Sequence, residues 1–133
     1  MENKYKKTKN TISLINYHFV FCPRYRRKIF LNEELKLRFG EITEEVCDDL
    51  DIQIREIKYG DDYVYLLINS PPILSPADIM QKIKGITSGE LRKEFDELNK
   101  MPSLWTRNYF VSTAANIPIK TIEKYVEEQK TRY

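Results

Sequence analysis

The chain has 133 residues, of which 41% are hydrophobic and 32% charged, with only four Gly and six Pro. This balance predicts one globular domain over residues 1–133 and excludes a disordered or fibrous protein. No apolar run approaches the roughly twenty residues of a membrane helix, and the lysine-rich first ten residues lack the pattern of a secretory signal. Cys22 and Cys47 have no CxxC spacing, so we expect reduced thiols in a cytoplasmic protein with no membrane contact.

Basic residues are concentrated near the beginning of the chain. Residues 1–28 hold eight Lys and Arg against one acid, although the net charge of the whole chain is only +2. The densest group, which we call the basic loop, consists of Arg24, Arg26, Arg27 and Lys28. Such a local patch predicts contact with nucleic-acid phosphates. A flexible basic tail over residues 1–11 followed by a solvated basic turn accounts for the same charges equally well.

The hydrophobic pattern predicts strands and helices in the order β-α-β-β-α-β-α. They are a strand at 14–22, a helix at 32–50, strands at 51–59 and 62–69, a helix at 75–95, a strand at 108–113 and a helix at 118–131. The strands alternate between two faces, and the helices repeat apolar residues every three or four positions. Their ends are marked by Pro23, by the N-caps Asn32 and Ser75, and by the Gly60-Asp61 turn, which favours an antiparallel hairpin.

This order predicts an α+β fold of the ferredoxin-like type. In that split β-α-β arrangement, four antiparallel strands carry two helices on one face. The helix at 118–131 is additional to that plan. A helix of about a dozen residues is marginally stable alone, so we expect it to pack on its own sheet or on a partner subunit.

By their spacing alone, few residues suggest a catalytic or metal-binding role. His18 is the single histidine of the chain, and a hydrogen-bonded strand histidine is the commonest role for such a residue. Tyr63 and Tyr65 point to the same side of one strand, either as packing residues or as rings on which bases stack. Tyr125 and Gln129 lie one helical turn apart and share a face. No Gly-rich phosphate loop, Ser-His-Asp set or Cys-His pair is present.

Five segments nevertheless form an ordered pattern that runs from residue 12 to residue 130. They are YHFVFCPRYRRKIF at 17–30, DDYVYLLINSPP at 61–72, MQKIKGITSGELRKEF at 80–95, LWTRNYFVST at 104–113 and IEKYVEEQ at 122–129. In this pattern the chain resembles the single-tyrosine HUH transposases of the IS200 type of insertion sequence.

The resemblance implies a reaction and an assembly. It implies a homodimer with joined sheets, in which the last helix is swapped so that it packs in trans and each active site is composite. Tyr125 matches the nucleophile that attacks a phosphodiester of single-stranded DNA, which leaves a 5′-phosphotyrosine and a 3′-hydroxyl. The resemblance also implies that the protein recognises DNA hairpins at the ends of the insertion sequence.

The resemblance also implies a Mg²⁺ or Mn²⁺ cofactor, and here the sequence departs from the pattern. Gln129 matches the metal ligand on the last helix, but the two histidine ligands of the family correspond to Tyr63 and Tyr65. Because a phenol has a reference pKa of about 10 and is protonated at neutral pH, it is a poor ligand. Substitute ligands for a hard ion are Glu56, Asp61, Asp62 and, in support, His18.

Three functions follow from the sequence. The leading hypothesis is a DNA transposase, impaired because the histidine pair is absent, and the alternative is a non-catalytic nucleic-acid-binding protein derived from one. A ferredoxin-like interaction domain that binds no nucleic acid is the third. In the first two, DNA phosphates contact the basic loop and further residues. These residues are Lys84, Arg92 and Arg107.

Overall fold

The computed structural model describes residues 5–7 and 11–129. Its strands are β1 (Lys6–Lys7), β2 (Ile12–Ser13), β3 (Asn16–Phe21), β4 (Gln53–Tyr59), β5 (Val64–Asn69) and β6 (Phe110–Ser112), and its helices are α1 (Glu33–Asp49), α2 (Pro76–Glu94) and α3 (Ile119–Glu128). Short 3-10 turns occupy Arg24–Arg26, Ile29–Leu31 and Asp96–Lys100. The order from β3 onwards confirms the predicted sequence of elements.

The main sheet has four strands in the order β4-β5-β3-β6, and every pairing is antiparallel. Strand β3 is central, so that Phe19 lies opposite Leu66 of β5 and Val111 of β6. Because α1 and α2 each connect strands that are not neighbours, the two β-α-β units interleave. This is the predicted ferredoxin-like topology.

Helices α1 and α2 cover one face of the sheet, which we call the core face. Asn32 caps α1 by accepting the Leu35 N–H at 3.1 Å, and Ser75 caps α2 in a reciprocal capping box with Asp78. Between the helices and the sheet lies a cluster of buried aromatic and aliphatic side chains. Within it Trp105 satisfies its indole N–H by donating to Thr87 Oγ1 at 3.1 Å.

Helix α3 lies on the opposite face, which we call the α3 face. Its buried residues, Ile122 and Val126, pack against Val20, Cys22 and Tyr65 of the sheet. In the single chain, therefore, the last helix docks on its own sheet. Exchange of this helix between subunits stays a prediction.

The structure describes only part of the predicted flexible tail, whose flexibility stays a prediction. Lys6 and Lys7 form a strand whose register pairs Lys6 with Ser13 and Lys7 with Ile12. The other residues of the predicted tail before residue 11, except Tyr5, lie outside the described residues, as do the last two residues of the predicted 118–131 helix. Across the described part of the chain, no helix is long and apolar enough to cross a membrane.

Candidate functional site

Helix α3 holds the predicted nucleophile, Tyr125, against the last strand of the sheet. The hydroxyl of Tyr125 donates to Asn108 Oδ1 at 3.2 Å. Its ring lies 6.0 Å from the ring of Phe110, measured between centroids. These two contacts fix both ends of a half-buried side chain. The phenol oxygen is therefore held at one position on the α3 face.

Asn108 is itself fixed by the loop that precedes β6. Its Oδ1 also accepts the Thr106 hydroxyl at 3.1 Å. The ammonium of Lys84 on α2 donates to the carbonyls of Thr106 at 2.7 Å and Asn108 at 3.2 Å. Burial lowers the pKa of Lys84 to about 8. Lys84 thus supports the loop beneath Tyr125, and its predicted contact with DNA stays a prediction.

Gln129 follows α3 and is almost fully buried, with 1% of its surface exposed. Its Nε2 donates to the carbonyl of Tyr125 at 3.2 Å. Its Oε1 is buried and accepts no hydrogen bond from any residue within 5–7 and 11–129. A buried amide oxygen without a donor is uncommon in folded proteins. This oxygen is thus suited to accept from a ligand or cation.

His18 and Tyr65 form a buried pair on neighbouring strands. His18 Nε2 lies 2.7 Å from the carbonyl of Ala114, which can only accept, so Nε2 carries a proton. In the neutral imidazole Nδ1 then accepts the hydroxyl of Tyr65, at 2.7 Å. Both ring nitrogens of His18 are engaged within the chain, as expected of a strand histidine. Tyr65 is 6% exposed, so it is a packing residue and presents no open face for base stacking.

Tyr63 packs at the turn between β4 and β5. A Cβ on Gly60 would lie 2.1 Å from Cε2 of Tyr63, so the close approach of this ring requires glycine at position 60. Burial raises the pKa of Tyr63, and the carboxylates of Glu123 and Asp62 raise it further. Burial also raises the pKa of Tyr65. Both phenols therefore stay protonated at neutral pH.

The residues present do not fit a Mg²⁺ or Mn²⁺ site. Of the predicted substitute ligands, Asp62 accepts Arg26 Nε and Nη2, both at 2.8 Å. Glu56 pairs with Lys58 at 3.3 Å. Throughout the described ranges, no group of three or more His, Cys, Asp or Glu side chains could hold a metal ion. What remains is the exposed carboxylate of Asp61 at the turn before β5, one amide oxygen and two protonated phenols, a weak donor set for a hard divalent ion.

The predicted DNA contacts differ in what they touch. Arg24 donates from Nη1 to Ser103 Oγ at 3.1 Å, and Arg92 donates from Nη2 to the carbonyl of Met101 at 2.8 Å. Arg26 is bound to Asp62 and also lies 3.7 Å from Glu127 of α3. The exposed residues of the predicted set are Lys28 and Arg107, and Arg27 is half-buried.

The roles of Tyr125 and Gln129 were predicted by resemblance and stay predictions, and the sequence did not point to Asn108, which accepts the hydroxyl of Tyr125. A polar residue just before a strand gives no local signal of its function. Its role depends on α3 folding back over β6, which is a long-range contact. The ring of Tyr25, exposed at the tip of the basic loop, was also missed.

Comparison with known proteins gives consistent matches. The family model for IS200-like transposases matches residues 11–129. The transposase for insertion sequence element IS200 of Salmonella typhimurium LT2 is 31% identical over 116 residues, which cover 85% of this chain and 75% of that protein. The ISDra2 transposase TnpA of Deinococcus radiodurans is 21% identical over 127 residues, covering 93% of this chain and 90% of that protein.

Solved structures share the fold. A crystal structure of a candidate transposase from Deinococcus radiodurans R1 superposes with a TM-score of 0.84 at 24% identity, covering 93% of this chain and 97% of that one. A REP-associated tyrosine transposase bound to a REP hairpin matches with a TM-score of 0.54 at 13% identity, covering 92% of this chain and 68% of that one. The family match spans nearly all described residues, and the Salmonella relative supports it, so this chain belongs to the family of IS200-like transposases.

Proposed function

We propose that this chain binds hairpin ends of single-stranded DNA and that Tyr125 attacks a phosphodiester of that DNA, with cleavage impaired by the loss of the metal ligands. The observation that carries this proposal is the position of Tyr125. Its hydroxyl is held by Asn108 at 3.2 Å on the face that also contains Tyr63 and Tyr65. The proposal is supported by the fact that Tyr63, Tyr65 and Tyr125, which match the family's reacting groups by resemblance, share one cluster.

The proposed step balances without a further reactant. Tyr125 Oη attacks the phosphorus and forms a new O–P bond, while the bond from phosphorus to the 3′ oxygen breaks. The 5′ phosphate stays on the tyrosine, and the proton lost by the phenol ends on the 3′ oxygen as a hydroxyl. Asn108 Oδ1 orients the phenol by accepting a hydrogen bond from its hydroxyl. It does not remove the proton, because an amide is not a base at neutral pH. We therefore expect Asn108 to be a positioning residue.

The side chains that are available to bind a metal account for the expected impairment of DNA cleavage. Two phenols with raised pKa values replace the imidazoles of the family, and the hydroxyl of Tyr65 donates to His18. A site of this kind supplies no strong Lewis acid to polarise the scissile phosphate. The same observation favours the second candidate function, a DNA-binding protein that no longer cleaves.

Hairpin DNA as the partner is supported by charge and by analogy. The basic loop is charged and partly exposed at Lys28 and Arg27, and Arg107 is exposed before β6. Cationic side chains of this kind neutralise backbone phosphates. A structural neighbour with the same fold is a tyrosine transposase bound to a hairpin. We therefore expect a stem of paired DNA on the basic surface, with its single-stranded flank near Tyr125.

A homodimer is part of the proposal. Helix α3 buries only two residues, Ile122 and Val126, and is joined to β6 by an irregular segment at 113–118. Such a helix is weakly held and can pack equivalently on the sheet of a second copy. Sedimentation at micromolar protein should give a dimer. A stable, folded monomer at that concentration would contradict this part.

The test of the proposed function is a binding and cleavage assay on hairpin DNA from the flanks of the gene, with Mn²⁺. We expect the wild-type protein to bind the hairpin and to form little or no covalent adduct. The variant Tyr63→His with Tyr65→His should form an adduct, and the further change Tyr125→Phe should abolish it. A wild-type adduct that depends on Tyr125 would show cleavage to be intact. Binding with no adduct in either form would favour the non-catalytic function, and absence of binding would overturn the proposal.

A further inference from the structure

Tyr25 lies at the tip of the basic loop in an unusual backbone conformation. Its φ and ψ are 61° and 17°, and the next residue, Arg26, has a φ of 49°. Both lie in the left-handed region, which is unfavourable for a residue other than glycine. Asp51 is the one other non-glycine residue with positive φ in the described ranges. Two consecutive residues with side chains thus adopt a backbone conformation that glycine would adopt without strain.

The loop is nevertheless well anchored on both sides of Tyr25. The backbone N–H of Arg24 donates to the carbonyl of Leu104 at 2.8 Å, and that of Arg26 donates to the carbonyl of Pro23 at 3.0 Å. The guanidinium of Arg26 is bound to Asp62 through two nitrogens, each at 2.8 Å. These contacts hold the strained conformation in place. Tyr25 as a whole residue is 51% exposed.

A cation lies beside the exposed ring. The Cζ atom of Arg24 is 5.7 Å from the centroid of the Tyr25 ring, within the range of a cation–π contact. Arg24 is fixed in turn by its hydrogen bond to Ser103 at 3.1 Å. Arg27 and Lys28 follow directly in the chain. The result is an exposed aromatic ring with one cation beside it, in the most basic stretch of the chain.

This combination matches how proteins bind unpaired nucleotides. Bases stack on aromatic rings whatever their sequence, and nearby Lys and Arg contact the phosphates on either side. A turn that served only to present charge to solvent would not explain an exposed aromatic ring. It would also not explain why the backbone at that ring is strained. We propose that Tyr25 is a stacking platform for an unpaired nucleobase of the DNA, in the hairpin loop or beside its stem. This inference rests on the proposed DNA binding and adds the residue that reads an unpaired base.

The platform differs from a phosphate contact in a measurable way. Tyr25 is uncharged and neutralises no phosphate. Its removal therefore does not change the number of counterions released on binding, and the salt dependence of binding stays the same. Removal of Lys28, by contrast, should reduce the salt slope by roughly one. Loss of a stacked base typically weakens binding by about tenfold or more.

The experiment measures the affinity of the full chain for a fluorescent hairpin with unpaired nucleotides, over a range of salt, by anisotropy. Tyr25→Ala should weaken binding about tenfold or more with an unchanged salt slope, and Tyr25→Phe and Tyr25→Trp should stay close to wild type. Replacing the unpaired nucleotides by abasic sites should weaken wild-type binding but change Tyr25→Ala little. Leu37→Ala, which removes another exposed apolar side chain on α1, is the matched control.

The outcomes separate base stacking from a loss of loop structure. Tyr25→Gly removes the ring and relieves the backbone, so it should be at least as stable as wild type and yet bind as weakly as Tyr25→Ala. Wild-type affinity in Tyr25→Ala, or an equal loss for that variant on intact and abasic DNA, would overturn the platform and leave DNA binding standing. A wild-type protein that binds no hairpin would instead overturn the proposed function, and the platform with it.

Discussion

The two faces of one sheet are built from different chemistry. On the core face, Phe21, Phe39 and Trp105 form edge-to-face and tilted contacts with centroids 5.0 to 6.3 Å apart, and all three are buried. On the α3 face, His18 and Tyr65 are buried and hydrogen-bonded to each other. Because successive strand residues point to opposite sides, one strand can serve both faces. The difference indicates that the core face stabilises the fold, while the α3 face holds hydrogen-bonded polar groups beneath the last helix.

The faces also differ in how firmly their helices are held. Helices α1 and α2 pack over a large continuous core and contact each other. Helix α3 contributes Ile122 and Val126 to a small cluster of its own. Elements with little buried apolar surface open at lower free energy than the global transition. We therefore expect α3 to be released before the sheet unfolds.

The largest expected effect is a cavity in the core face. Phe39 is fully buried and contacts the rings of Phe30, Tyr59 and Trp105. Phe39→Ala should lower the free energy of unfolding by about 3–5 kcal/mol, because transfer free energy is lost and a cavity is left behind. Urea denaturation, monitored by the fluorescence of Trp105, measures this loss of stability.

The matched change on the α3 face is Ile122→Ala, which is also buried. It should cost about 2 kcal/mol and should increase hydrogen exchange in α3 while exchange in β3 stays slow. Equal losses of global stability from Phe39→Ala and Ile122→Ala would remove the distinction between the faces.

The next effect concerns the ion pair between Arg26 of the basic loop and Asp62 of the turn before β5. Arg26 and Asp62 have side chains only 19% and 12% exposed, and two nitrogens contact one carboxylate oxygen. Removal of one partner leaves a poorly hydrated charge. Arg26→Leu should therefore destabilise the fold by about 2 kcal/mol, and combining it with Asp62→Leu should recover part of that loss. Purely additive losses in this double-mutant cycle would show that the pair contributes little.

A smaller effect is a pH dependence from Lys84 beneath the α3 face. The pKa of Lys84 is lowered from 10.5 to about 8 in the folded protein. Between these values the unfolded state binds more protons, so the free energy of unfolding rises with pH, by at most about 1.4 kcal/mol per pH unit. The thiols of Cys22 and Cys47, with pKa values raised from 9.0 to about 12, stabilise the fold below pH 9 and act in the opposite direction above it.

The comparison of wild type with Lys84→Met isolates this contribution, since both proteins keep the thiols. Chemical denaturation at pH 7, 8 and 9 should show wild type gaining stability relative to the variant, mainly between pH 8 and 9. Parallel curves across that range would mean that Lys84 keeps its proton throughout.

The smallest expected effect is the loss of one hydrogen bond on the α3 face. Tyr65→Phe removes the donor to His18 Nδ1 and keeps the ring. A buried acceptor left without a partner costs about 1 kcal/mol. Thermal unfolding should shift by a few degrees. An unchanged melting temperature would indicate that His18 finds another donor.

The core face could be predicted from the sequence because its signals are local. Helical spacing behind Asn32 and Ser75, alternation in residues 16–21 and the turn at Gly60 each act within a few residues. The ferredoxin-like order followed from these elements.

The contacts of the α3 face could not be predicted in the same way. Asn108 meets Tyr125 across 17 residues, and His18 meets Ala114 across 96. The first pair depends on how α3 folds back over β6 and the second on the pairing of β3 with β6, and no local pattern specifies either. Lys84 looked like a surface cation because its carbonyl partners lie more than twenty residues away.

We infer that the α3 face corresponds to the active site of an IS200-like transposase but lacks the donors for its metal. A Mn²⁺ titration at pH 7, followed by electron paramagnetic resonance, tests it most directly. Wild type should leave the signal of free Mn²⁺ unchanged at micromolar metal, and Tyr63→His with Tyr65→His should reduce it in a one-to-one complex that Gln129→Ala weakens. Binding of Mn²⁺ by the wild-type protein at that concentration, lost in Gln129→Ala, would contradict the claim.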